Sequence, residues 1–184
     1  MAGKTFRYQE LTATHLAELD REQTLAFMAL SPLEVHGPHL PTGTDLLVAL
    51  ELQQRIMEQI SAKWPETDFL ILPPTYMGSD TVPDPTSVNV DSRALYHLLL
   101  ATGRSLAAQG FQTLVLTDNH GGPRHQIAIE KAVRRLHRDL EFCLIAPFNR
   151  FYRRMVERDP QLLADTGLAP GSCGDGPDSH AGTN

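Results

Sequence analysis

Four short apolar runs alternate along the chain with longer amphipathic segments, and this alternation constrains the fold more than any other feature. The apolar runs span residues 24–31, 68–74, 113–118 and 141–147. Their nearly continuous hydrophobic composition is typical of strands buried on both faces of a sheet. Between them lie helical patterns at residues 45–64, 91–110 and 123–140. Strand followed by helix, repeated, predicts an α/β fold with a mainly parallel sheet and helices on both faces.

The ends of the predicted helices are marked by residues with strong positional preferences. Asp91 is suited to cap the start of the second helix, and Gly110 to follow its end. Pro123 is favoured as the first residue of the third helix. We expect this third helix to bury an apolar face made of Ile127, Val133 and Leu136.

The composition is that of an ordinary globular protein. The chain has 184 residues, of which 41% are hydrophobic and 21% charged, so we expect a single domain over residues 1–184. Its net charge of −6 disfavours nucleic acid and anionic membranes as partners. No apolar run approaches the roughly 20 residues of a membrane span, and the N-terminus lacks the apolar core of a signal peptide.

The cysteines give no sign of a disulfide or metal framework. Cys143 and Cys173 have no metal-ligand spacing, and two thiols are too few for a disulfide scaffold. We therefore expect a soluble protein of the reducing cytoplasm. Residues 159–184 are rich in Gly, Pro, Ser and Asp, which predicts loop structure there.

Two polar clusters each follow a predicted strand directly. The first is S-P-L-E-V-H-G-P-H-L-P-T-G-T-D at residues 31–45, and the second is T-D-N-H-G-G at residues 117–122. In a parallel sheet, ligands bind in the crevice beyond the carboxyl ends of the strands. Both clusters are therefore predicted to lie at this one edge of the sheet.

Four side chains of these clusters are candidate metal ligands. Glu34 and His36 are two residues apart, so in an extended segment they project to the same side. Asp45 begins the next helix, and His120 comes from the second cluster beside a Gly-Gly step. Two carboxylates and two imidazoles from separate loops suit a divalent cation such as Zn²⁺ or Mn²⁺, or two cations bridged by one carboxylate.

Each of these residues also has a purely structural alternative. Asp45 is placed to cap a helix, and Glu34 can be a solvated loop charge. His36 and His39 flank a Gly-Pro turn where they can bind backbone carbonyls, and His120 can do the same in the crevice. The convergence of these residues at one edge favours the metal site over several separate coincidences.

The motifs resemble those of a known family. E-V-H-G-P-H-L-P-T-G-T-D, residues 34–45, is similar to the metal-binding signature E-x-H-G-P-H-L-P-x-G-T-D of the creatininase family, the creatinine amidohydrolases. D-N-H-G-G-P resembles the family's N-G-H-G-G-N, and S-H-A-G at 179–182 resembles its C-terminal histidine motif. The segment 73–90 matches the family's tyrosine-glycine-serine turn and Thr-x-Ser segment, so the resemblance runs from about residue 24 to the end.

The resemblance implies a three-layer α/β/α sandwich, two divalent metals and hydrolysis of a C–N amide bond. Carried over by position, Glu34, Asp45 and His120 would hold one metal. His36 and Asp45 would hold the other, with Asp45 as the bridge. Zn²⁺ is the expected metal, with Mn²⁺ and Fe²⁺ as alternatives. The family also implies a homo-oligomer, commonly a hexamer.

Catalysis at such a site needs a proton donor as well as metals, because an amide nitrogen leaves poorly until it is protonated. His180 in the S-H-A-G motif is the candidate for this role. Tyr76 and Ser79, in the turn after the second strand, are candidates for contacting the substrate. Asp118 is a further substrate-binding candidate, since Asp118 and Asn119 replace the family's Asn-Gly.

Two departures from the family pattern concern the second metal. Gly122 stands where some creatinine-hydrolysing members have a glutamate ligand. Other members take a glutamate from just after H-A-G, where this sequence reads Thr183 and Asn184 and stops. We therefore expect that the chain lacks the family's C-terminal part and that its second metal site is incomplete, with one metal bound instead of two.

The function expected from the resemblance is metal-dependent hydrolysis of a small cyclic amide, a formamide or a peptide. Creatinine itself is not the first choice, because creatinine-specific members place aromatic residues over the ring, whereas the single tryptophan, Trp64, ends a helix far from the motifs. One alternative is a non-catalytic family member that serves binding or assembly. Another is a mononuclear iron oxygenase that uses His36, His120 and Asp45, although this needs cupin-like strands.

Overall fold

Five parallel strands form the central sheet of the computed structural model, which describes residues 2–166. The strands are β1 (Thr5–Arg7), β2 (Thr24–Ala29), β3 (Asp68–Ile71), β4 (Thr113–Thr117) and β5 (Cys143–Ile145). Their order across the sheet is β1-β3-β2-β4-β5, and each neighbouring pair is parallel. β2 pairs with β3 and β4 at its edges and packs against other apolar residues on both faces, which explains its apolar sequence.

Helices cover both faces of this sheet. They are α1 (Ala13–Glu18), α2 (Thr44–Lys63), α3 (Ser92–Ala108), α4 (Pro123–Leu140), α5 (Pro147–Val156) and α6 (Pro160–Thr166), with a 3₁₀ turn at Tyr8–Glu10. Successive residues of β2 face opposite layers. Phe27 and Ala29 join the apolar clusters against α2, whereas Ala26, Met28 and Leu30 join the larger core against α3 and α4. The predicted three-layer α/β/α sandwich is confirmed.

The predicted helix boundaries agree with the structure within two residues. The side chain of Asp91 caps α3 by accepting from the backbone N–H of Arg93. Gly110 follows α3 with a φ of 89°, a left-handed conformation that glycine adopts readily. Pro123 is the first residue of α4, as predicted. Ile127 was wrongly predicted as buried and is 49% exposed, because the face of α4 that meets the core is formed by Ala128, Ile129, Ala132 and Leu136.

Several elements were not predicted from the sequence. β1 is a three-residue edge strand without a continuous apolar run, and α1 and α5 bury no residue completely. The prediction of loop over 159–184 is wrong for residues 160–166, which form α6. Cys173 and His180 lie outside the described residues. Within the described part of the chain, no helix is long and apolar enough to cross a membrane.

Candidate metal centre

The sheet brings the two polar clusters together. Glu34 and His36 follow β2, and His120 follows β4, which pairs directly with β2 from Ala26↔Leu114 to Ala29↔Thr117. Asp45 lies in the first turn of α2, which begins at the same edge. The prediction that both clusters lie at the carboxyl edge of the sheet is therefore confirmed.

The loop between β2 and α2 is fixed by hydrogen bonds within it and by pairing with the loop before α3. The N–H of Glu34 donates to the carbonyl of Thr42 at 2.8 Å, and Leu33 pairs with Val88 of the loop before α3. Asp45 is not the N-cap of α2, since Gly43 occupies that position and no side chain caps the helix. The carboxylate of Asp45 is therefore available to face the loop and His120.

Three side chains form a compact buried group of metal-ligating atoms. Glu34, Asp45 and His120 are 1%, 4% and 2% exposed, and one ligand atom from each lies within 4.8 Å of the other two. Nδ1 of His120 lies 3.0 Å from Oε2 of Glu34 and 3.3 Å from Oδ2 of Asp45. Burying two carboxylates is costly unless a positive charge compensates them.

A second imidazole contacts the other oxygen of Asp45. Nε2 of His36 lies 3.1 Å from Oδ1 of Asp45, and His36 is itself buried. Each oxygen of the Asp45 carboxylate thus faces a different histidine. His39, by contrast, is exposed.

Backbone carbonyls fix which nitrogen of each histidine faces the carboxylates. Nε2 of His120 donates to the carbonyl oxygen of Ser79 at 3.0 Å, and Nδ1 of His36 donates to the carbonyl oxygen of Glu34 at 3.0 Å. A carbonyl oxygen can only accept, so these two nitrogens carry hydrogen. The opposite nitrogens, Nδ1 of His120 and Nε2 of His36, are the ones presented to Asp45. Metal-binding histidines are commonly oriented in this way.

The electrostatics of the group favour a positive charge at its centre. Burial of the His120 ring favours the neutral form, but the Asp45 and Glu34 carboxylates outweigh this effect and raise the pKa of His120 to about 10. The protonated ring then compensates the two carboxylates at neutral pH.

The donor set also fits a divalent cation. Oδ2 of Asp45 and Nδ1 of His120 have no partner in hydrogen-bond geometry among the described residues, although they lie 3.3 Å apart. Buried polar atoms of this kind are rare unless an ion, a water or a functional role explains them. Carboxylate oxygens and imidazole nitrogens are ligands for Zn²⁺, Mn²⁺ and Fe²⁺.

Behind His120 lies a network of buried polar residues. Asp118 accepts hydrogen bonds from Oγ of Ser31 at 2.7 Å, from the N–H of His120 at 3.0 Å and from Nε2 of Gln126 at 2.7 Å. Burial disfavours the charged form of Asp118, but His125 and these hydrogen bonds outweigh it and lower the pKa of the Asp118 carboxyl. Asp118, a substrate-binding candidate from sequence, is thus placed inside the protein behind the metal centre.

The other sequence candidates are placed differently. Tyr76 is 50% exposed and lies near Gly43, at the entrance to α2. Ser79 is buried and contacts His120 through its backbone carbonyl. A polar cleft of about 310 Å³ opens beside it, lined by residues of the 79–92 loop and Arg124. Val82 of this loop donates its N–H to Oε1 of Glu34, which joins the cleft to the metal centre.

Residues that the motifs did not identify complete the site. His125, Gln126 and Ser31 are buried, and each contacts Asp118. His125 and Gln126 lie in the first turn of α4, and Ser31 follows β2. The contact of Ser31 joins positions 87 residues apart in the chain, so no local pattern could have revealed it.

Comparison with known proteins assigns the family. The creatininase family profile, described as creatinine amidohydrolase, matches residues 9–183. The chain belongs to the creatininase family. A mycofactocin precursor peptide peptidase of Mycolicibacterium smegmatis is 33% identical over 113 residues, covering 59% of this chain and 45% of that protein. Its counterpart in Mycobacterium ulcerans is 28% identical over 131 residues, covering 69% of this chain and 51% of that protein. The chain spans about half the length of these curated relatives.

Solved creatininase structures share the fold. A crystal structure of creatinine amidohydrolase (creatininase) superposes with a TM-score of 0.63 at 22% identity, covering 76% of this chain and 56% of that one. A structure described as creatininase Mn gives a TM-score of 0.61 at 21% identity, covering 77% of this chain and 57% of that one. The family assignment and the all-parallel sheet leave the iron oxygenase alternative without support.

Proposed function

We propose that this chain is a metal-dependent amidohydrolase that cleaves a C–N bond in a peptide. The observation that carries the proposal is the buried group of Glu34, Asp45 and His120, with His36 on the second oxygen of Asp45. The peptide substrate is favoured because the curated relatives are named as peptide peptidases. The chain's only tryptophan, Trp64, follows the end of α2 far from Asp45, so it is not placed to cover a creatinine ring.

The proposed ligands divide between two metals that share Asp45. Glu34, Asp45 and His120 would hold the first. His36 with Asp45 would hold the second more weakly, because only these two ligands are assigned to it. When bound, divalent metals at such a centre lower the pKa of a water to near 7 and polarise the amide carbonyl. Zn²⁺ is the proposed metal, with Mn²⁺ or Fe²⁺ as alternatives.

The protein's own side chains orient the site and exclude bulk water. The Ser79 and Glu34 carbonyls hold the two imidazoles, and burial of Glu34 and Asp45 strengthens their attraction to a cation. Ser79 lines the cleft where a peptide would enter, and Tyr76 lies beside Gly43 at the start of α2. His180, in the S-H-A-G motif, is the proposed proton donor to the leaving amine.

Metal analysis of the purified chain tests the ligand assignment. We expect Glu34→Gln, Asp45→Asn and His120→Gln to lose most of the bound metal while the fold is retained. Asp68→Asn is the matched control, because Asp68 begins β3 at the opposite edge of the sheet. Equal metal content in wild type and all three ligand variants, measured by inductively coupled plasma mass spectrometry, would contradict the proposal.

Activity is tested separately with defined substrates. The metal-loaded chain is incubated with synthetic peptides that differ in their C-terminal residues, and with creatinine, and new amines are followed by mass spectrometry. We expect peptide cleavage that His180→Ala abolishes without loss of metal. Metal binding without cleavage of any amide would favour the alternative of a binding or assembly protein. Cytoplasmic location and a homo-oligomeric, hexameric assembly stay predictions from the sequence.

A further inference from the structure

We infer that His125 is a positioning residue of the metal centre, which sets the orientation of His120 through the backbone of Ser79. The inference rests on the proposed metal-binding function. It concerns a residue that does not itself face the carboxylates of Glu34 and Asp45.

His125 lies between two groups of opposite hydrogen-bonding character. It is fully buried in the first turn of α4, and its Nδ1 accepts from the backbone N–H of Ser79 at 3.2 Å. A backbone N–H can only donate, so Nδ1 of His125 must be unprotonated. Its Nε2 then carries the hydrogen, and this nitrogen lies 3.3 Å from Oδ2 of Asp118, at ion-pair distance and outside hydrogen-bond geometry.

The same two groups hold both ends of His120. The carbonyl of Ser79 accepts from Nε2 of the His120 ring at 3.0 Å. The carboxylate of Asp118 accepts from the backbone N–H of His120 at 3.0 Å. His125, Ser79, His120 and Asp118 thus form a closed ring of contacts. The two imidazoles lie edge to face with their centroids 5.0 Å apart, so a rotation of one ring displaces the other.

An imidazole supplies both contacts of this position at once. Burying a polar ring is unfavourable compared with an apolar side chain, unless both of its nitrogens are used. Position 125 needs an acceptor towards Ser79 and a donor towards Asp118, separated by the distance between the two nitrogens of one imidazole ring. The side-chain oxygen of asparagine can reproduce the acceptor towards Ser79. The side-chain NH₂ of glutamine can reproduce the donor towards Asp118, but neither residue reproduces both. This difference separates the two contacts experimentally.

The expected consequence is a change in metal affinity. Without the His125 acceptor, the N–H of Ser79 loses its partner, so the backbone at residue 79 holds its carbonyl less firmly towards Nε2 of His120. The flanking peptide groups keep their bonds, from Val90 to the Gly78 carbonyl and from Asp80 to the Asn89 side chain, so the loop itself is retained. Loss of an outer hydrogen-bond partner of a ligating histidine typically weakens metal binding by about 10- to 100-fold. His125 is therefore placed to determine affinity without touching the metal.

The test compares His125→Gln with His125→Asn by Zn²⁺ titration against a chelating dye, using the full chain. We expect His125→Gln, which loses the Ser79 contact, to bind Zn²⁺ about 10- to 100-fold more weakly. His125→Asn, which can keep that contact, should stay within about threefold of wild type. The visible spectrum of the Co²⁺-loaded chain should change in His125→Gln and be retained in His125→Asn, because it reports the geometry around the metal.

Leu136→Ala is the control for lost stability, since Leu136 is buried in the same helix far from the site. It should lower the urea midpoint of the metal-free chain and leave the Zn²⁺ affinity unchanged.

If His125→Gln does not fold, Asp118→Asn weakens the same ring of contacts and is expected to lower the Zn²⁺ affinity instead. Wild-type affinity in His125→Gln, or in Asp118→Asn where His125→Gln does not fold, would overturn the role of His125 and leave the proposed metal site intact. An equal loss of affinity in Leu136→Ala would overturn it in the same way. A wild-type chain that binds no Zn²⁺ would overturn the proposed function as well.

Discussion

Oδ1 of Asp45 lies 3.1 Å from Nε2 of His36, and this contact closes the loop between β2 and α2 over the end of the sheet. The other oxygen of Asp45 faces His120, which comes from the next crevice. A carboxylate with one oxygen towards each of two imidazoles has the arrangement of a bridging ligand. The proposed two-metal centre therefore depends on Asp45 more than on either histidine.

This arrangement predicts different effects of Asp45→Asn and His36→Ala on metal stoichiometry. Asp45→Asn removes the negative charge shared by both proposed sites, so metal content should fall to near zero. His36→Ala removes a ligand of one site only and should leave about one metal per chain, because Glu34 and His120 are unchanged. Equilibrium dialysis followed by elemental analysis measures both values. The bridging role is wrong if the two variants lose the same amount of metal.

A second prediction concerns protons released on metal binding. Because its pKa is raised to about 10, His120 is protonated at pH 7 in the metal-free chain. Metal binding at Nδ1 must displace this proton, so Zn²⁺ binding should release about one proton at pH 7. Isothermal titration calorimetry in buffers of different ionisation enthalpy measures the number of protons released. His120→Gln is the control, in which residual Zn²⁺ binding should release about one proton fewer.

The same raised pKa predicts how stability depends on pH in the metal-free chain. The folded state binds the His120 proton more tightly than the unfolded state, where the pKa is near 6.5. Its contribution to the free energy of unfolding is fully present below about pH 6.5 and is lost as pH rises through about 10. Urea unfolding measured from about pH 6.5 to about pH 10 should show a falling free energy of unfolding. This fall should be smaller in His120→Gln. An unchanged pH dependence in this variant would contradict the raised pKa.

The sequence was sufficient for the layers of the fold and for the edge where the site lies. β2 and β4 are buried on both faces, so their apolar runs are unambiguous, and polar clusters directly after them mark the carboxyl edge. The edge elements were missed because their burial is partial. β5 buries only Leu144, and the exposed ends of β1 leave no continuous apolar pattern.

The supporting residues of the site could not be read from local spacing. His125 contacts Ser79, which is 46 residues away, and the carbonyl that holds His120 belongs to a backbone, whose role no side-chain motif encodes. In the sequence, Asp118 stands out only as a departure from the family motif. Its burial behind His120 follows from the packing of α4 against the sheet, which is a tertiary property.

A further prediction concerns the packing of α3 against α4 at Gly103. A Cβ added to Gly103 would lie 2.5 Å from Cδ1 of the buried Leu136. Gly→Ala in an exposed helix gains about 1 kcal/mol, but overpacking here should reverse the sign and cost about 1–3 kcal/mol. Ser105→Ala on the exposed face of α3 is the control and should be neutral or slightly stabilising. Urea unfolding of the metal-free chain measures both.

A double-mutant cycle with Leu136→Val identifies the cause. Shortening Leu136 makes room for the new methyl group, so Gly103→Ala should cost less in the Leu136→Val background than in wild type. Equal costs in the two backgrounds would mean that the clash is relieved elsewhere.

The last prediction distinguishes the two adjacent glycines of the H-G-G motif. A Cβ on Gly122 would lie 2.4 Å from Nε2 of His120 and 2.9 Å from the carbonyl oxygen of Ser79, so it would separate the two groups that orient the ring. A Cβ on Gly121 meets only the edge of the Tyr152 ring at 3.1 Å, and this half-exposed side chain can shift. Gly122→Ala should therefore weaken Zn²⁺ binding by about 10-fold or more, whereas Gly121→Ala should change it little. Dye-competition titration of both variants checks this difference. Similar affinities in the two would mean that His120 tolerates displacement and that the Ser79 carbonyl does not set its orientation.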